Sequence, residues 1–161
     1  MGGILKVLNA MVARNARLLI VADQIFNMEI IQSVLFYAGY RRLSLAHDLW
    51  QATQHLASRQ YDIVFLDITQ SASDSIKLVN LAKKSKFGHK KPKTIVTAGT
   101  DEYSLSLAIA SGADSIIIKP FNIMELLNEV NSLVDNNFAQ ISAVSSPIDR
   151  TKRVVVKGLK S

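Results

Sequence analysis

A chain of 161 residues, 48% apolar and with a formal net charge of +6, has the length of one domain with its own core and is too short for two ordinary ones. No apolar run approaches the roughly 20 residues that cross a bilayer, so no membrane span is expected. The absence of cysteine excludes a disulfide framework, a thiolate metal site and a cysteine nucleophile, and a cytoplasmic protein is the natural expectation.

Residues 1–15 place Ile4, Leu5, Leu8, Met11 and Val12 at the spacing of an amphipathic helix. No small-residue cleavage site follows a clean apolar core, and Lys6 breaks the myristoylation pattern, so this extension does not read as a targeting segment. It could cover the sheet or make a homodimer contact. From Arg17 onward, strand and helix patterns alternate. The first strand, 17–22, leads into Asp23, and a helix near 26–38 follows, closed by Gly39. A strand at 41–45 precedes a helix at 48–59, where Asp48 can cap with Gln51 three residues later. The third strand, 61–66, is the most informative: its core IVFL is β-branched and aromatic without polar alternation, as in a strand buried on both faces. It ends abruptly on Asp67. A helix at 73–85 leads to the strand 93–98, which carries Thr97. A helix at 102–111 ends at Gly112, and the strand 114–118 leads to Lys119. The last helix, 122–134, has Asn122 and Glu125 in capping positions and one apolar stripe of Ile123, Leu126, Leu127, Val130, Leu133 and Val134.

This alternation predicts an α/β fold: a flavodoxin-like, doubly wound, five-stranded parallel sheet in the order 2-1-3-4-5, with helices on both faces. It divides the chain into an N-terminal extension (1–15), one domain (16–135) and a basic tail (136–161), read as flexible from its polar stretch around Ser145, Ser146 and Pro147. The 27 residues after Val134 are too few for a further domain with its own core. In such sheets the ligand crevice lies beyond the carboxyl ends of the strands. Asp23, Asp67, Thr97 and Lys119 all fall there. A carboxylate that accepts a phosphoryl group must be exposed, ionised and matched to a divalent cation. Magnesium typically takes one or two protein carboxylates and keeps several waters. Asp67 as nucleophile and Asp23 as metal ligand meet that minimum, while the Thr97 hydroxyl and the Lys119 ammonium could contact phosphoryl oxygens.

Residues 17–134 resemble the receiver domain of bacterial two-component response regulators, a chemotaxis-regulator-like fold. LLIVADQIFNMEIIQSVLFYAGY is similar to the family's opening strand, acid pocket and first helix. DIVFLD matches the phosphoacceptor strand, VTAGT the strand with the hydroxyl, and GADSIIIKPF the Lys-Pro ending. The resemblance implies that Asp67 is the phosphoacceptor, that Thr97 and Lys119 contact the phosphoryl group, and that Mg2+ is held by Asp23, Asp67 and the backbone carbonyl of Thr69. It also implies a cis peptide between Lys119 and Pro120. Its partners would be a histidine kinase or phosphotransfer protein, and a downstream protein reached through residues 100–119.

The chain departs from the family pattern at several positions. Ala22 replaces the first of two adjacent acids, and Gln24 stands where a third acid is common, so metal binding should be weakened. The loop ITQSASD lacks the usual Met-Pro and Gly features, and Ile116 stands where an aromatic switch residue is usual. The leading expectation is a stand-alone receiver that signals through protein contacts, with no enzymatic role beyond its own phosphorylation and dephosphorylation. The alternative is a pseudo-receiver, a protein-interaction module not switched by phosphorylation. Nucleic-acid binding is the weaker reading of the basic tail and of the cluster Lys83, Lys84, Lys86, Lys90, Lys91 and Lys93, because only Phe87 interleaves with those charges. Trp50, Phe65 and Phe121 read as packing groups. His47, His55 and His89 lack metal-ligand spacing and read as surface residues.

Overall fold

The computed structural model describes residues 2–4, 14–67, 69, 72–85, 90–142 and 153–155. Most of the helix expected over 1–15, the loop residues Ile68, Gln70 and Ser71, and Lys86, Phe87 and His89 lie outside them. The elements in chain order are β1 (Arg17–Ala22), α1 (Ile25–Tyr37), β2 (Arg42–Ala46), α2 (Leu49–Ser58), β3 (Ile63–Asp67), α3 (Ala72–Lys83), β4 (Lys93–Ala98), α4 (Glu102–Ser111), β5 (Ser115–Ile118), α5 (Ile123–Ser142) and β6 (Arg153–Val155). All neighbouring strands pair in parallel, in the order β2-β1-β3-β4-β5-β6. The five expected strands therefore stand as 2-1-3-4-5, and a sixth lies outside β5.

The alternation of side chains along the strands builds two cores. Leu18, Ile20, Phe65 and Ile117 face Met28, Ile31 and Leu35 of α1 and Leu126 and Val130 of α5. Leu19, Val21, Leu66 and Val96 face Leu56 of α2, Leu78 and Val79 of α3, and Ala108 of α4. All of IVFL in β3 is buried, as its composition predicts. Each large side chain so covered contributes about 1.5–3 kcal/mol. Phe65 is core and Phe121 packs against the first core, but Trp50 is 69% exposed. It sits one residue into α2, whose buried positions are Ala52 and Leu56, so its own position faces water.

Local signals set most boundaries. Asp48 accepts the Gln51 N–H at 2.7 Å, while the Gln51 side chain accepts from His47 N at 2.9 Å. Asn122 and Glu125 form the reciprocal pair, each side chain accepting the other's backbone N–H at 2.9 Å. Asp101 caps α4 by accepting the Ser104 N–H at 2.8 Å, and its hydrogen bonds with Ser104 hold its carboxyl below the usual carboxylate range. Gly112 closes α4 in the left-handed region at φ 73°, where L side chains are strained. The segment read as a flexible tail is partly regular: 136–142 continue α5, and 153–155 form β6. Pro147 is the first residue after 135 that must stop a helix, and RVV is a strand-favouring run that the neighbouring basic residues obscured.

Tyr40, 2% exposed, ties α1 to α5 by donating its hydroxyl to Asn131 Oδ1. Burial, reinforced by the nearby negative charge of Asp135, pushes its phenol up to about 12 from 10.0. Below the unfolded value both states keep the proton, and this group makes stability flat with pH. Above it the unfolded chain loses the proton first, so stability falls with rising pH until the folded phenol also ionises. Denaturant midpoints measured from pH 9 upward should decline through that window by an amount equivalent to about 2–3 kcal/mol. Tyr40→Phe should remove this part of the decline.

Candidate functional site

The register fixes which strand ends meet. Ala22 is the partner of Asp67, so Asp23, the next residue, enters the turn beside it. Leu66 pairs with Val96 and Thr97 with Ile117, which carries Thr97 to the edge next to Asp67. The Lys119 N–H donates to Ala98 O at 2.8 Å, so β4 still holds the chain one residue past β5. The peptide bond from Lys119 to Pro120 is cis.

Asp67 is only 2% exposed, in contrast to the exposed acceptor expected from the sequence, and among the described residues its carboxylate is met by donors. The Thr97 hydroxyl donates to Oδ1 at 2.7 Å, and the Lys119 ammonium pairs with the same oxygen. Asn27 Nδ2 donates to Oδ2 at 3.2 Å. Lys119 keeps 29% side-chain exposure, and its flexible stem lets it move with an incoming group. Asp67 and Lys119 both line a cavity of about 600 Å³ that reaches Asn27, Thr100 and Phe121.

Asp23 does not cap α1. The N-cap is Gln24, which makes no side-chain cap hydrogen bond. Asp23 instead turns across the cleft to accept the backbone N–H and the hydroxyl of Thr69, both at 2.9 Å. Gln24 Nε2 donates to Thr69 Oγ1 at 3.2 Å, and Asn27 Nδ2 reaches Gln24 Oε1 at 3.4 Å. The two acids are thus joined by a polar chain through Thr69, Gln24 and Asn27. Sequence reasoning missed Asn27. Its signal was its place in the first turn of α1, directly after the strand end that carries Asp23.

The other singled-out positions are structural. Ala22 is fully buried on the α1/α5 side, and Ile116 is 3% exposed in the core on the opposite side. His47 is exposed. His55 is not a free surface residue, since its Nδ1 lies 2.8 Å from the hydroxyl of buried Tyr61. Among the described residues no helix is long and apolar enough to cross a membrane.

Residues 18–131 match the profile of the response regulator receiver domain. The chain belongs to the response regulator receiver family. Phosphorylation on an aspartate is general among these receivers, which are signalling modules rather than a classical enzyme family. This receiver is 26% identical over 148 residues to the transcriptional regulatory protein PcoR of Escherichia coli, an alignment covering 89% of the chain and 64% of PcoR. It is 31% identical over 117 residues to the response regulator SaeR of Staphylococcus aureus, covering 73% of the chain and 50% of SaeR. The chain therefore spans about half to two thirds of the length of these relatives. Among solved structures, the receiver domain of a response regulator from Bermanella marisrubri superposes with TM-score 0.64 at 28% identity, covering 74% of this chain and 98% of that one. The receiver domain of the sensor histidine kinase PA1611 from Pseudomonas aeruginosa, solved with magnesium in its active-site cleft, shares the fold at TM-score 0.62 and 20% identity, covering 74% and 98%.

Proposed function

We propose that this receiver takes a phosphoryl group onto Asp67, with Thr97 and Lys119 as its contacts, from a histidine kinase or phosphotransfer protein. The observation that carries the reading is the convergence of the Thr97 hydroxyl and the Lys119 ammonium on one oxygen of a carboxylate at the end of β3. A carboxylate oxygen of Asp67 attacks phosphorus, the bond from phosphorus to the donor breaks, and the donor leaves with the electron pair. Thr97 and Lys119 then pass from the carboxylate to the phosphoryl oxygens. Asn27 holds the second carboxylate oxygen throughout.

The donor set fits magnesium. Asp23 and Asp67 offer carboxylates, and the Thr69 backbone, held beside Asp23 by two hydrogen bonds, offers a carbonyl. Among the described residues no cluster of three metal-binding side chains occurs, so water must complete the shell, as magnesium prefers. Bound there, the ion supplies neutralisation of charge on the transferring group. With Ala22 in place of an acid, the affinity is weaker than two adjacent carboxylates would give.

The intact grouping of Asp67, Thr97 and Lys119 speaks against the pseudo-receiver alternative. Ile116, packed in the core without an aromatic ring, speaks for output through the backbone and surface of residues 100–119, toward a downstream protein, rather than through a ring that swings. The test is intact mass after incubation with magnesium and a small phosphodonor such as acetyl phosphate. One phosphoryl adduct is expected with magnesium and none with a chelator. No adduct at saturating magnesium would refute the proposal.

A further inference from the structure

A second group of side chains gathers at the end of the sheet away from Asp67. β1 runs from Arg17 to Ala22, so its start lies about 17 Å from the strand end beside the acceptor. There Arg17 pairs in register with Arg42, the first residue of the edge strand β2. Arg41 folds back onto the last turn of α1. Its guanidinium carbon lies 4.0 Å from the centre of the Phe36 ring, and its Nη1 donates to Phe36 O. The rings of Phe36 and Tyr37 meet edge to face at 6.4 Å. Arg14 lies against the same turn, where Gly39 has φ 105° and a Cβ would come within 2.9 Å of Arg14 Nε. Four arginines and two aromatic rings are thus joined, by contact or by register, at one corner of the domain.

The charge at this corner is unbalanced. Residues 30–47 contain no acid. Two acids approach: Asp62, whose Oδ2 accepts the Arg17 backbone N–H at 2.7 Å, and Asp135, whose charge reaches the buried Tyr40 phenol. Among the described residues neither forms a salt bridge with Arg14, Arg41 or Arg42. The lysine cluster differs, since Lys83 donates to Gly112 O at 2.7 Å and Lys93 lies 4.0 Å from Asp114. The rings at the corner are also left in water: Tyr37 is 89% exposed and Phe36 49%. A single exposed ring is ordinary, but these two border unpaired guanidiniums.

We propose that this corner binds single-stranded RNA, with Arg14, Arg41 and Arg42 on phosphates and Tyr37 as the platform for a base. Positive charge alone would suit any polyanion, an acidic peptide or an anionic lipid surface included. The rings decide for bases, because unpaired strands are held by aromatic and guanidinium planes set along a basic track. A lipid-binding patch would carry exposed aliphatic side chains among its cations. The exposed Ile25, Ile123 and Met124 stand instead in the first turns of α1 and α5, at the acceptor end. The corner is built from the last turn of α1 and the first residues of β1 and β2. It therefore offers neither the side of a helix nor a two-stranded ribbon to the groove of a duplex.

The site does not depend on the acceptor chemistry, so the full chain tests it without phosphorylation. Fluorescence anisotropy with a labelled, unstructured RNA of about a dozen nucleotides should show saturable binding. Three phosphate contacts predict roughly 20-fold weaker binding at 200 mM than at 50 mM salt. Tyr37→Ala should weaken binding at least about fivefold at either salt concentration. It should leave the melting temperature unchanged, because the ring is 89% exposed. Arg41→Gln combined with Arg42→Gln should weaken binding and reduce the salt effect to about threefold. Four results would each overturn the assignment: no binding of the single strand, equal or tighter binding of the same RNA as a duplex, displacement of the RNA by polyglutamate or phosphatidylglycerol vesicles at lower concentration than by unlabelled RNA, or full affinity in Tyr37→Ala.

Discussion

Asp67→Asn should take up no phosphoryl group from a small donor under conditions that, on the proposed reaction, label the unmodified chain. The substitution keeps the shape of the side chain but replaces an anionic oxygen with a neutral amide, which is too weak a nucleophile toward phosphorus. It should not unfold the domain. Asp67 is 2% exposed, so the change removes a charge from a site where charge is costly to hold. Lys119, with 29% side-chain exposure, can turn its ammonium to water once its partner is gone. Thermal melts of the variant should lie within a few degrees of the parent, or above it. Loss of labelling together with an unchanged melt would assign the defect to chemistry. Labelling that persists in Asp67→Asn would place the acceptor elsewhere.

Lys119→Met has the opposite profile. Removing the cation leaves the Asp67 carboxylate buried with only the Thr97 hydroxyl and the Asn27 amide as donors. Stripping one partner from a buried pair costs about 3–5 kcal/mol. Because Lys119 is partly exposed, the lower end applies, about 3 kcal/mol, or roughly 10 °C in melting temperature for a domain of this size. The pair should therefore be strongly asymmetric: losing the anion is tolerated, losing the cation is not. The double variant Asp67→Asn with Lys119→Met should recover most of the lost stability, since no charge remains to be compensated. Magnesium should also raise the melting temperature of Lys119→Met more than that of the parent, by supplying positive charge to the same carboxylate. A double variant as unstable as Lys119→Met alone would mean that the lysine acts through its stem and not through its charge.

The two substitutions also separate the roles of the residues around Asp67. Thr97 and Lys119 share one oxygen, so in the proposed reaction they would follow the phosphoryl group together. Asn27 holds the other oxygen and, through Gln24 and Thr69, reaches Asp23. A change at Asn27 should loosen the acceptor without removing it.

The sequence alone determined the strand and helix alternation, the burial of IVFL on both faces, the reciprocal cap of Asn122 with Glu125 and the left-handed glycine after α4, because each rests on periodicity or on a hydrogen bond spanning three or four residues. It also determined the meeting of Asp67, Thr97 and Lys119, because parallel strand order carries their strand ends to one edge. Only the tertiary structure decided that Asp23 faces Thr69 instead of capping α1, that Asn27 completes the grip on Asp67, that Trp50 lies outside the core and that Arg153–Val155 pairs with β5. Those outcomes depend on contacts between residues about 40 positions apart or on which side of a helix meets the sheet, and local pattern does not specify either.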